Sequence, residues 1–221
     1  GTPKDVIVKL NAAVQAAIND PVTRKRTYLT PDGEKTPSVT TILGATKDQT
    51  HLNEWRNRIG HEKAAQITKE AAGVGTALHA NLERFLAGLE RKPGNNLVHV
   101  QADKMATVII EQGIANIDEV WAMEQSLYFP GLYSGTTDLV AVYKSNPSIC
   151  DYKQSNKEKK EEWIENYFLQ ATCYSMMFEW IYKIAVPQIV IVITVDDEKT
   201  PQVFKLERSQ FVNRVLEIFL N

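Results

Sequence analysis

Only two of the 221 residues are cysteine, Cys150 and Cys173, so neither a disulfide framework nor a four-cysteine zinc or iron–sulfur site is available. Both stand among apolar neighbours and are expected to be small core residues in a reducing, cytoplasmic setting. No apolar run approaches the roughly 18–20 residues of a membrane span, and the longest, Ile189–Val195, has the length of a buried strand. No Gly-x-x-x-x-Gly-Lys-Ser/Thr loop occurs, which excludes an ATP-driven motor within the chain and leaves no nucleotide cofactor to expect. Excess positive charge is missing too. The 25 Lys and Arg residues meet 27 Asp and Glu, a net charge of −2 that does not advertise nucleic-acid binding. Basic residues do cluster locally, at Arg24-Lys25-Arg26, at Arg56 and Arg58, and at Lys157, Lys159 and Lys160.

What is present suits one buried core. The hydrophobic share is 43% and the charged share 24%, the composition of an ordinary globular domain. Residues 1–26 read as a helical appendage, a packing helix or the remnant of a fusion. Its apolar stripe (Val6, Leu10, Ala13, Val14, Ala17) is closed by Asp20-Pro21. The domain proper is expected over 27–221. There, Tyr28–Thr36 suggests a strand and turn, and Pro37–Leu43 opens a helix capped by Ser38. Helical patterning follows over 52–72 and 76–89, with a break expected at Gly73-Val74-Gly75, and again over 101–115.

The apolar period then changes from helical to two. Strands are expected over 120–129 and 132–143, joined at Pro130-Gly131, and over 148–154 after a turn at Asn146-Pro147. A long helix over 159–183, a strand at 189–195 buried on both faces, a strand at 202–206 and a helix at 209–220 complete the chain. The expected fold is α/β with a mixed sheet, an αβββαβ core preceded by helices.

Chemistry concentrates in Gly135-Thr136-Thr137-Asp138 and Asp151-Tyr152-Lys153. Hydrolysis of a phosphodiester needs oxygen ligands for a hard cation and a positive group near the developing charge. Asp151 and Lys153 are two apart and share a strand face, and a hairpin would set Asp138 against them. Taken singly, Asp-x-Lys is an ordinary rim salt bridge. Three further features agree with the sharper reading. His79 and Glu83 stand one turn apart on a helix that also carries Thr76. Glu124 lies on the first strand of the meander. Gln170 and Tyr174 share a helix face. Trp55, Tyr128, Tyr133 and Trp163 are candidate stacking platforms for bases.

The order His79, Glu124, Gly135-x-x-Asp138, Asp151-Tyr152-Lys153, Gln170-x-x-x-Tyr174 resembles the RecB-like branch of the PD-(D/E)XK nucleases, which includes phage exonucleases and a mitochondrial genome maintenance exonuclease. Pro37–Leu43 and Leu52-Asn53-Glu54-Trp55-Arg56 resemble the phage members, and the likeness spans roughly residues 27–207. It implies the restriction-endonuclease-like fold and a metal-dependent DNA exonuclease preferring single strands or free ends. His79, Asp138, Asp151 and the Tyr152 carbonyl would hold Mg2+ or Mn2+. Lys153 would orient water or stabilise the phosphate, with Glu124 and Gln170 supporting catalysis. Thr76, Glu83, Ser155 and Tyr174 would contact substrate. The likeness further implies a bacterial or phage-infected cell. The chain departs from the pattern at Val74, where the family often has Arg, and at Gln154, where it often has Thr. Two rival readings remain: a structure-specific endonuclease on the same fold, and a catalytically idle DNA-binding recombination module.

Overall fold

The computed structural model describes residues 27–31, 33–92 and 94–220, so the expected helix within residues 1–26 lies outside the described residues. A short hairpin, β1 (Thr27–Leu29) and β2 (Lys35–Pro37), precedes four helices: α1 (Val39–Thr46), α2 (Thr50–Ile59), α3 (His61–Leu86) and α4 (Leu97–Val108). Three antiparallel strands follow: β3 (Ile117–Phe129), β4 (Tyr133–Tyr143) and β5 (Asn146–Ser155). Then come α5 (Glu165–Tyr182), β6 (Gln188–Val195), β7 (Gln202–Glu207) and α6 (Ser209–Leu220). The five long strands form one mixed sheet in the order β3-β4-β5-β6-β7, with β5 and β6 parallel and every other pair antiparallel. This is the expected α/β arrangement, with α5 as the crossover between the parallel pair. Among the described residues no helix is long and apolar enough to cross a membrane.

Strand alternation sorts the core into two layers. On one sheet face Val140, Ile149, Ile189, Ile191 and Ile193 pack with Val39 and Ile42 of α1 and with Phe168, Leu169 and Met177 of α5. On the other, Leu139, Cys150, Tyr152, Val190 and Val192 pack with Val74, Leu78 and Leu82 of α3 and with Ala102 and Met105 of α4. Every residue of β6 is buried, as its unbroken β-branched run requires. Each such Val or Ile stabilises the fold by roughly 1.5–3 kcal/mol relative to exposure. Cys150 and Cys173 are free and buried, one in each layer.

Local chemistry explains most boundaries. The Ser38 hydroxyl accepts from the Thr41 N–H at 3.0 Å and starts α1 where expected. Gly131 turns β3 into β4 with a φ of +66°, open to glycine at little cost. Four expectations need correction. The break foreseen at Gly73-Val74-Gly75 is absent, because α3 runs straight through it; a side chain at Gly73 would crowd Val98, and one at Gly75 would meet Gln154. These glycines admit neighbours rather than bend the backbone. The helical segment read over 52–72 instead breaks at Gly60, whose φ of +88° ends α2 and admits α3. The β4–β5 turn is at Lys144-Ser145, both with positive φ, and Asn146 already pairs with Tyr143. The long helix starts at Glu165 rather than near 159, after one tight turn at Glu161–Trp163.

Candidate metal centre

The site arises where the sheet splits. Pairing of β3 with β4 runs to Phe129↔Tyr133 and that of β5 with β6 to Ser155↔Val195, but the β4–β5 ladder ends at Leu139↔Cys150. The next residues, Asp138 and Asp151, stand across the fork. The Tyr152 N–H, released from the ladder, donates to the Asp138 Oδ2 at 2.8 Å. A carboxylate therefore replaces a strand carbonyl at the point of divergence.

From the α3 face His79 enters the fork, its Nδ1 3.4 Å from the Asp138 Oδ1 and its Nε2 3.1 Å from the Tyr152 carbonyl. From the α5 face the Gln170 amide approaches the Asp151 Oδ1 at 3.4 Å and donates to the Tyr174 hydroxyl at 3.1 Å. Lys153 sets its ammonium 2.5 Å from the Asp151 Oδ2. Glu124 completes the group from β3. Its φ of +45°, opposite Asp138, is unusual for a side-chain-bearing strand residue and costs on the order of 1–3 kcal/mol. That twist lets Glu124, His79 and Asp138 each present a ligand atom within 4.8 Å of the other two.

The electrostatics fit a cation. Burial opposes charge on His79, but the hydrogen bond and field of Asp138 outweigh it and raise its pKa; both ring nitrogens face oxygen acceptors, so without an ion the imidazolium satisfies both, and a bound ion would take the place of one ring proton. Burial works against the Asp138 carboxylate too, yet the His79 bond and the His79 and Lys153 charges hold its pKa below the usual value. Burial, opposed by Lys153 and reinforced by Asp138, pushes the Asp151 carboxyl up to about 6. Burial and the Asp138 charge raise Glu124. Two carboxylates are thus driven apart while the site as a whole favours added positive charge. Donor chemistry agrees: one imidazole and carboxylate oxygens within 4.8 Å match a six-coordinate ion with ligands about 2.0–2.2 Å away, whose donors lie roughly 3–4.4 Å apart.

Most of the residues singled out by sequence meet here. Thr76, His79, Glu83 and Glu124 line one open groove. Asp138, Asp151, Tyr152, Lys153, Gln170 and Tyr174 sit around the fork. Ser155 lies one alternate position beyond Lys153, its hydroxyl donating to the Lys157 carbonyl at 2.6 Å. Of the four candidate stacking aromatics, Tyr133 is 98% buried in the α5-side core and offers no platform, whereas Trp163 is 61% exposed with Lys160 above its ring. One neighbour escaped the sequence reading: the ring of Tyr167 lies 5.2 Å from the Lys153 ammonium. Its position three before Gln170 and seven before Tyr174 is the helical spacing that would have revealed it.

Gly135 is explained by Tyr174. A Cβ at Gly135 would fall 2.6 Å from the Tyr174 Cε1 and 3.2 Å from its hydroxyl. Gly135→Ala should therefore displace Tyr174 and destabilise the protein by about 1–3 kcal/mol, the usual cost of overpacking. Urea midpoints read this directly, and an unchanged midpoint would mean that the ring moves aside freely.

No protein-family model matches the chain. Mitochondrial genome maintenance exonuclease 1 of Mus musculus is 30% identical to it over 131 residues, covering 56% of this chain and 38% of that protein. The chain thus spans well under half the length of this relative. A solved structure from Eubacterium rectale, named as a candidate exonuclease, matches 68% of this chain and 64% of its own with a TM-score of 0.49 and 11% identity.

Proposed function

We propose that residues 27–221 form a divalent-metal-dependent deoxyribonuclease of the PD-(D/E)XK type, RecB-like branch, acting as an exonuclease on single-stranded DNA or DNA ends. The observation that carries this reading is the convergence of His79, Glu124 and Asp138 within ligand distance, beside the Asp151–Lys153 pair at the strand fork. The name of the murine relative supports it. The two unpaired, buried thiols suit the reducing cytoplasm of a bacterium or phage-infected cell.

His79, Asp138 and Glu124 would hold Mg2+ or Mn2+, with Asp151 and the Tyr152 carbonyl completing the set from the fork. When bound, the ion lowers the pKa of water from about 15.7 towards neutrality and offsets charge on the phosphate. Lys153, held by Asp151 and backed by the Tyr167 ring, keeps an ammonium at the position where phosphate charge develops. Gln170 fixes the Asp151 carboxylate from the far side, and Tyr174 fixes Gln170. Thr76 and Glu83 border the groove through which a strand approaches, and Ser155 shapes the end of β5.

Labelled linear and circular single strands, each with Mg2+ or Mn2+ and with EDTA, test the reading. The linear strand should be degraded only with metal, and the circle should survive. Cleavage of the circle would make the enzyme an endonuclease, and degradation of the linear strand in EDTA would remove the metal from the mechanism.

A further inference from the structure

One stripe of α5 faces the fork. Tyr174, Gln170 and Tyr167 succeed one another at steps of four and three residues, the spacing of a single helix face. Gln170 approaches Asp151, and the Tyr167 ring lies 5.2 Å from the Lys153 ammonium. Followed back towards its start, α5 therefore meets β5 at positions progressively nearer the strand's end. The next place on the stripe, four residues before Tyr167, is Trp163. Consecutive tight turns link the two. The Trp163 N–H donates to the Lys160 carbonyl at 3.0 Å, and the Tyr167 N–H to the Ile164 carbonyl at 2.8 Å. Ile164 and Phe168, each one residue further on, are both buried in the α5-side core. Trp163 and Tyr167 thus flank that core in the same sense. Trp163 stands about one helical turn, roughly 5 Å, beyond the ring that backs Lys153, where β5 continues past the end of its ladder with β4.

The indole is open and its support is fixed. Trp163 is 61% exposed, and the Lys160 ammonium, 5.2 Å from the ring, covers only part of it. The Lys159 N–H donates to the Gln202 Oε1 at 2.7 Å, and the Gln202 Nε2 donates back to the Lys159 carbonyl at 2.9 Å. The Ser155 hydroxyl bonds both the N–H and the carbonyl of Lys157. A ring carried on so braced a turn offers contact area at little ordering cost. Charge decides what kind of contact. Lys157, Lys159 and Lys160 are offset by Glu158, Glu161, Glu162 and Glu165, so the turn holds no excess of positive charge for a phosphate. The flat face of a base needs none.

We propose that Trp163 is a stacking platform for a base of single-stranded DNA, close along the strand to the phosphate at Lys153. Lys160 steadies the indole through its cation–π contact. Every base has a π-face, so the platform holds a strand without regard to sequence. In a duplex the bases already stack on one another, so the platform favours a single strand. The inference rests on the nuclease reading for the place of the phosphate.

Labelled oligo-dT and a blunt duplex, titrated in EDTA and in Ca2+ and followed by anisotropy, test the platform. Trp163→Ala should weaken the single strand by about five- to a hundredfold, the loss of one base stack, and leave duplex affinity unchanged. The slope of log Kd on log salt should stay the same, because no phosphate contact is removed. Trp163→Phe keeps a ring and should retain most of the affinity. With Mn2+, Trp163→Ala should raise KM and spare kcat, the sign of lost ground-state binding. The exposed position lets both variants fold, which melting temperatures check. Native single-strand affinity in Trp163→Ala would overturn the platform and leave the turn to a protein partner. An equal loss for the duplex, a shallower salt slope, or a Phe variant as weak as the Ala variant would overturn it too. Binding that responds to Trp163 without any cleavage would uphold the platform and sink the nuclease reading alone. No DNA binding by the native protein in either condition would sink both.

Discussion

Asp138→Asn should lower metal-dependent DNA degradation by at least about a hundredfold, because even partners outside the ligand shell typically alter metal affinity or activity by 10–100-fold. Asparagine keeps the shape and one oxygen, so the Tyr152 N–H that now reaches the Asp138 Oδ2 at 2.8 Å retains an acceptor and the fork stays intact. What disappears is the negative charge that raises the His79 pKa and faces Glu124. Mn2+ titration followed by thermal melting separates the two contributions. The native protein should be stabilised by about 2.7 kcal/mol at a hundredfold excess over Kd, and the variant by much less at the same concentration. An Asp138→Asn protein that melts normally, gains the full stabilisation and still cuts DNA would remove Asp138 from the ligand set.

Lys153→Met should be damaging in two ways that one further variant can tell apart. On the proposed nuclease reading, loss of the ammonium should slow cleavage by about 10²–10³-fold, by analogy with removal of one oxyanion donor. It also abandons Asp151, which is 1% exposed and held by Lys153 at 2.5 Å. Breaking a buried pair from one side costs about 3–5 kcal/mol, because the remaining charge loses its partner. The double variant Asp151→Asn/Lys153→Met removes both charges together. It should regain most of the melting temperature and none of the activity. A single variant as stable as the native protein would show that water or the His79 and Gln170 side already satisfies Asp151, and a double variant that recovers activity would refute the role of Lys153.

The structure also explains which parts of the molecule the residues announce. The period-two segments around Leu127, Val140 and Ile149 and the β-branched run Ile189–Val195 marked the strands, since strand identity depends on neighbours two apart in the chain. Asp151 and Lys153 were expected on one face for the same reason, and their contact bears this out. The glycines misled where packing decides. Gly73 and Gly75 carry a breaker's composition, yet α3 passes through them; a side chain at Gly73 would press on Val98, whereas one at Gly75 would only touch Gln154. Asn146-Pro147 reads as the turn before β5, although the left-handed backbone falls at Lys144-Ser145, neither of them the Gly, Asn or Asp that positive φ favours.

By itself the sequence determined the class of fold, the strand–helix order after residue 117 and the residue types able to bind a cation, because each depends on short-range periodicity or on side-chain chemistry. Only the tertiary structure decided that the β4–β5 ladder stops at Leu139↔Cys150, that His79 crosses from α3 to meet Asp138, and that Glu124 adopts a left-handed twist beside them. Those contacts join residues beyond the reach of any single helix turn or strand repeat. Their distances follow from how two packed layers close on one sheet, a balance of burial and hydrogen bonding that no local stretch of chain contains.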